Sequence, residues 1–166
     1  MKIFLTLLLG ALFFIGCSSD KTPQNVEAKL QVGKSLKDFS LPDQHEKVQT
    51  IPEGTKFVIF SFSKPVGHMC NELLNKKAPN YLPEHKAVYV ADVSPAPSII
   101  KNMFILPDLA KLPFPILLIN DDTLSAEYSK GMNKDTIVVV ELEGYTISGI
   151  RNLKSEQELE ALLEGK

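Results

Sequence analysis

The residue with the clearest capacity for chemistry is Cys70, with His68 two positions before it and Lys64 six before it. A thiolate is the nucleophilic form of cysteine, and a neighbouring cation or a helix N-terminus lowers the pKa at which it forms. The surrounding stretch supplies both elements. Residues 57–62 (FVIFSF) have the β-branched and aromatic content of a central strand. Pro65 and Gly67 then read as a short turn, and residues 71–77 as a helix stopped by Pro79. Cys70 is thereby expected in the first turn of that helix, where backbone N–H groups favour the thiolate, and Lys76 and Lys77 suit the helix's negative end. Two other readings compete for the same residues. Free cysteine is among the most buried residue types and serves equally as a small core residue. His68, for its part, can sit exposed in the turn without a catalytic role. Cys70, His68, Met69 and His85 are also the types that hold Cu(I), although one Cys/His pair does not close a coordination shell, and neither a metal nor another cofactor is expected.

The chain carries only two cysteines in 166 residues. The other, Cys17, follows a positive Met1-Lys2 start and an apolar run over residues 3–15 that is shorter than the ~20 residues needed to span a bilayer. Phe14-Ile15-Gly16-Cys17 resembles the lipobox of bacterial lipoproteins, in which the cysteine receives diacylglycerol and becomes the first mature residue. The resemblance implies a signal peptide over residues 1–16, an acylated Cys17 and a periplasm-facing protein. Ser18 after the cysteine points to the outer membrane. From Ser18 to about Lys29 the chain is polar, carries Pro23 and is read without apolar periodicity, so residues 17–31 are expected to form the lipidated Cys17 and a flexible tether with an r.m.s. reach of about 20 Å. If Cys17 carries lipid, Cys70 has no intramolecular partner in a compartment that favours disulfides.

Residues 32–166 suit one domain. The net charge of −2, with scattered lysines and carboxylates, offers no basic stripe for nucleic acid. Short strands are expected at residues 38–41 and 47–51, then at 57–62, 87–93 and 115–119. A helix over residues 98–106 follows Pro95 and Pro97, and another runs from Asp122 to Gly131. A hairpin turns at Glu143-Gly144, and a last helix begins with the capping box Ser155 and Glu158. Strands alternating with helices, closed by a hairpin and a helix, imply an α/β sandwich with a mixed central sheet.

VGKSLKDFSLPDQHEKVQTI from Val32, DDTLSAEYSKGM from Asp121 and TIVVVELEGYTISGI from Thr136 are similar to segments of the peroxiredoxin and redoxin branch of the thioredoxin-like superfamily. This resemblance spans nearly the whole domain. It implies a thioredoxin-like three-layer sandwich, with Cys70 at the helix start where the superfamily performs thiol chemistry. Several positions depart from the family pattern. Gly67 and Asn71 stand where peroxiredoxins have threonine and proline, Lys134 falls near the family's arginine, and Asp135 takes the place of the cis-proline. Gly67-His68-Met69-Cys70 lacks the first cysteine of a CxxC motif. The expectation is a degenerate site with a single working thiol, peroxidase-like or forming mixed disulfides, and restored by an outside thiol or partner protein. The alternative is a non-catalytic binding or structural lipoprotein on the same scaffold. These two readings require opposite environments for Cys70: exposed with a depressed pKa, or buried.

Overall fold

The computed structural model describes residues 26–166. The expected signal peptide, Cys17 and most of the expected tether lie outside the described residues. The chain forms β1 (Ser40–Pro42), β2 (Val48–Thr50), β3 (Phe57–Ser61), α1 (Lys64–Asn75), α2 (Tyr81–Glu84), β4 (Ala87–Asp92) and α3 (Ser98–Ile100). A π-helical turn (Lys101–Ile105) continues α3 into α4 (Leu106–Leu109). Then come β5 (Leu117–Ile119), α5 (Asp122–Ser129), β6 (Ile137–Glu143), β7 (Thr146–Leu153) and α6 (Glu156–Glu164).

Five strands make one mixed sheet in the order β5-β4-β3-β6-β7. β3, β4 and β5 run parallel, whereas β6 is antiparallel to β3, and β7 to β6. β3 is the central strand, and Val58, Ile59 and Phe60 are all 0% exposed. Such a strand reads as a continuous apolar run because helices or loops cover both its faces. Side chains alternate between two cores. Ile59, Tyr89, Ala91, Ile137 and Val139 face α1, α2 and α6. Val58, Phe60, Val90, Val138 and Val140 face the N-terminal segment, the β1-β2 hairpin and α5. The result is the three-layer sandwich with a mixed central sheet that the sequence implies.

Local signals explain the element ends. Asp121, one residue before the expected cap, accepts from the Thr123 and Leu124 N–H groups at 2.9 Å and starts α5. Ser155 Oγ accepts from Glu158 N–H at 3.2 Å, while the Glu158 carboxylate accepts from Lys154 N–H at 2.7 Å, a capping box displaced by one residue on its return bond. Gly144 closes the β6-β7 turn at φ 62°, in the left-handed region that glycine enters at little cost. A buried Gln44 fixes the approach to β5: its amide donates to Phe114 O at 2.7 Å and accepts from Ile116 N–H at 2.8 Å. That pairing satisfies backbone groups that would otherwise be buried without partners.

Residues 26–31 differ from their expected role as tether. Leu30 is 1% exposed and packs in the core that holds Phe39, Phe60, Phe62 and Tyr128. The Lys29 N–H donates to Glu127 O at 3.0 Å, and Lys29 Nζ pairs with the Glu127 carboxylate at 3.0 Å. Val26, Ala28 and Leu30 alternate with polar residues, Ala28 is buried with Leu30, and burying one leucine contributes roughly 1.5–3 kcal/mol, enough to dock a short segment.

Candidate functional site

Helix α1 determines what Cys70 can do. It begins at Lys64, seven residues earlier than the sequence reading placed it, with Ser63 at the N-cap and Pro65 in the first turn. Proline is tolerated there because its missing N–H would have no helical partner. Gly67, read as a turn residue, lies inside the helix. Cys70 is therefore nearly two turns from the N-terminus, beyond the zone where the helix dipole acts. Val66, Cys70, Leu73 and Leu74 are the buried residues of α1. Their i, i+4, i+7, i+8 spacing is the apolar stripe of a helix lying on a core.

Cys70 is 0% exposed and packs with Ile59, Tyr89, Ile137 and Leu159 among others. Burial pushes its thiol up from 9.0 to about 12. The Tyr89 hydroxyl, which shares a 3.0 Å hydrogen bond with Ser61 Oγ, opposes that shift, and the Glu156 carboxylate adds to it. Tyr89 is itself 0% exposed, and burial holds its phenol well above its ordinary range. The thiol's polar neighbour is thus a neutral phenol. This corrects the expected thiolate-stabilising environment, and its cause is desolvation of the charged form.

The other predicted residues do not converge on the sulfur. His68 is exposed, and two positions along a helix put it on nearly the opposite side from Cys70. Lys64 is exposed in the first turn of α1. Lys134 is exposed in the turn before β6, beside Asp135, whose N–H is held by the Asn133 side chain at 3.1 Å. Neither His68 nor either lysine contributes to the thiol's shift. His85 caps α2, its Nδ1 2.8 Å from Tyr81 O. Among the described residues no three His, Cys, Asp or Glu side chains gather as metal ligands. Lys76 and Lys77, expected to serve the α1 dipole, instead tie α1 to α6. Lys76 meets Glu156 at 3.2 Å, and Lys77 meets Glu160 and, at 3.4 Å, Glu164.

At the start of α1, where the resemblance expects thiol chemistry, stand Ser63, Lys64 and Pro65. Two surface depressions are present among the described residues. One, about 380 Å³, lies beside the starts of β4 and β5 and is lined by Pro52, Leu82, Pro83, Lys86, Tyr89 and Leu117. The other, about 300 Å³, lies along the N-terminal segment between Lys29, Lys34, Phe39 and Tyr128. Neither is lined by Cys70, His68 or Lys134. The sequence did carry a signal for the buried thiol. Starting the helix at Ser63-Lys64-Pro65 puts Cys70 in register with Val66, Leu73 and Leu74.

No protein-family model matches the chain, and no curated protein matches it. Solved structures do. A candidate thioredoxin from Neisseria meningitidis is similar over 84% of this chain and 89% of its own, with a TM-score of 0.52 and 16% identity. A candidate protein disulfide isomerase from Bacteroides thetaiotaomicron is similar over 84% and 90%, with a TM-score of 0.50 and 16% identity. The peroxidoxin BcpB from Mycobacterium tuberculosis is similar over 82% and 97%, with a TM-score of 0.48 and 13% identity. Identity at this level speaks to the fold and leaves the chemistry to the site. The sheet order, the helices on each face and the likeness to the Neisseria and Bacteroides structures together establish a thioredoxin-like fold.

Proposed function

We propose that the chain is a lipid-tethered thioredoxin-fold binding domain in which Cys70 serves as a core residue and carries no thiol chemistry. The supporting observation is the 0% exposure of Cys70 on the core stripe of α1, with burial raising its thiol to about 12. An attacking thiol needs a populated thiolate and access to its substrate, and this position supplies neither. The small residue Gly16 before Cys17, at the end of an apolar secretory run, supports acylation at Cys17 and a periplasm-facing domain, and Ser18 supports the outer membrane. On this reading the scaffold acts through its surface.

The test exposes the folded full-length protein to hydrogen peroxide with a sulfenic-acid-trapping dione, then maps peptides by mass. A peroxidatic cysteine gives its thiolate's electron pair to one peroxide oxygen, breaks the O–O bond and becomes a sulfenic acid as hydroxide leaves and takes a proton from solvent. The expected result is no adduct on the Cys70 peptide unless the protein is first unfolded. An adduct that forms in the folded state and is prevented by a prior thiol-blocking agent would restore the one-cysteine redox reading and end this one.

A further inference from the structure

The connection from β4 to β5 is apolar on both of its sides. Ile105, Leu106, Leu109 and Leu112 pack against the core shared with α1 and α6. On the outer side Ile99 is 71% exposed, Ile100 45%, Met103 64% and Phe104 56%. Ile99 with Met103 and Ile100 with Phe104 are i, i+4 neighbours, so the four gather into one patch. A helix apolar all round is normally covered on both faces, and contiguous exposed apolar patches of this kind mark interaction surfaces. Between Asp92 and Asp108 the chain has no Asp or Glu, and its one charge is Lys101.

The chain's own course indicates what covers the patch. Lys101 Nζ donates to Asn120 O at 3.2 Å, which holds the patch against the start of α5. At the other end of α5, Lys130 Nζ donates to Val26 O, and Lys29 pairs with Glu127. Helix α5 has eight residues and so measures about 12 Å. Val26, the first described residue, and the apolar patch therefore lie at the two ends of one short helix. From Val26 back to Cys17 the chain extends at most about 30 Å. A lipid on Cys17 keeps the domain's Val26 end within that distance of the bilayer, close enough for the patch to touch it.

We infer that Ile99, Ile100, Met103 and Phe104 insert into the surface of the bilayer that holds the Cys17 lipid. The inference rests on the acylated tether proposed above. The absence of carboxylates and the presence of Lys101 suit an anionic leaflet, and side chains of this type settle at the boundary between headgroups and acyl chains. The patch would fix the domain's orientation on the membrane.

The experiment uses the full chain expressed in a bacterium, purified from membranes and reconstituted in phosphatidylethanolamine/phosphatidylglycerol vesicles. Radiolabelled palmitate incorporation into the native chain and into Cys17→Ser reports acylation separately. An environment-sensitive fluorophore is placed at Met103→Cys and, as a control, at Ser148→Cys on the exposed part of β7. The expected result is palmitate on the native chain only. The position 103 label should be blue-shifted and quenched at least about twofold by nitroxide-bearing lipids, with the position 148 label unaffected. A water-like label at position 103 on an acylated chain overturns the inference and leaves the tether standing. A blue-shifted label insensitive to nitroxide lipids means that protein covers the patch, whether a second copy or a partner, and also overturns it. Absence of palmitate removes the tether and the inference together.

Discussion

Cys70→Asp is expected to cost at least about 3 kcal/mol of folding stability, while Cys70→Ala costs about 1 kcal/mol and leaves the fold intact. The contrast follows from the position. Cys70 is 0% exposed between α1 and the sheet, and the charged groups that act on it consist of one carboxylate, Glu156, which repels an anion. A carboxylate placed there loses its water and finds no cation. Its pKa in the folded protein would be raised, so the folded state binds the proton more tightly than the unfolded chain does. Stability then falls as pH rises above about 4, the ordinary carboxylate value, and acidification relieves the loss. Urea titrations at pH 4.5 and pH 8 measure both effects. A site built to hold a thiolate would instead accept the carboxylate at pH 8 with little change in midpoint. Loss of the alanine variant's fold would itself contradict the simple core role, because removing one sulfur leaves only a small cavity.

The second large effect lies on the other face of the sheet. Phe60→Ala should lose about 3–5 kcal/mol, a substantial part of the roughly 5–15 kcal/mol that holds a domain of this size together. Phe60 is 0% exposed, stacked on Phe62 with centroids 5.5 Å apart and on Tyr128 at 5.9 Å, and set edge-on to Phe39 at 6.5 Å. Phe39 precedes β1, Phe62 follows β3 and Tyr128 lies in α5, so truncating the ring loosens three segments at once. Phe104→Ala is the internal control. Phe104 is 56% exposed, and its removal should shift stability by less than about 0.5 kcal/mol. Equal losses at the two positions would mean that the outer patch is packed within the monomer.

Much of the fold was legible because period and punctuation agreed. β3, β4 and β6 carry runs of Val, Ile, Phe and Tyr too short for helices, Gly144 and Ser155 sit where a positive φ or a cap is required, and the cap of α5 falls on Asp121, one residue before the expected Asp122. Residues 26–31 read as tether because the alternation of Val26, Ala28 and Leu30 with polar residues is too short a signal by itself, and the docking of Leu30 depends on a core assembled from distant segments. The short helix α2 likewise carries too few residues for a periodic signal.

The site was misread at one point that controlled the rest. Pro65 and Gly67 punctuate loops more often than they sit in helices, so the helix was started after them, and Cys70 acquired a helix N-terminus that belongs to Ser63. The i, i+4, i+7 relation of Val66, Cys70 and Leu73 was present in the sequence but is visible only with the earlier start. What no residue pattern conveys is desolvation: the thiol's shift comes from burial in a core to which β4, β6 and α6 contribute Tyr89, Ile137 and Leu159. Lys134 and His68 illustrate the same limit. Both suit a thiolate by type, and both point their charge to solvent.

The most direct measurement is the rate of Cys70 alkylation against pH in the folded full-length chain, read by peptide mapping, with the same reaction in guanidinium chloride as reference. With its thiol at about 12 against an ordinary 9.0, Cys70 holds roughly a thousandfold less thiolate near pH 8 than an unperturbed cysteine. Burial slows the reagent further. The expected result is negligible labelling in the folded state at every pH up to 9 and rapid labelling once the protein unfolds. A native-state rate that titrates at or below about 8.5 and matches the unfolded chain would contradict the core role of Cys70 and restore it as a nucleophile.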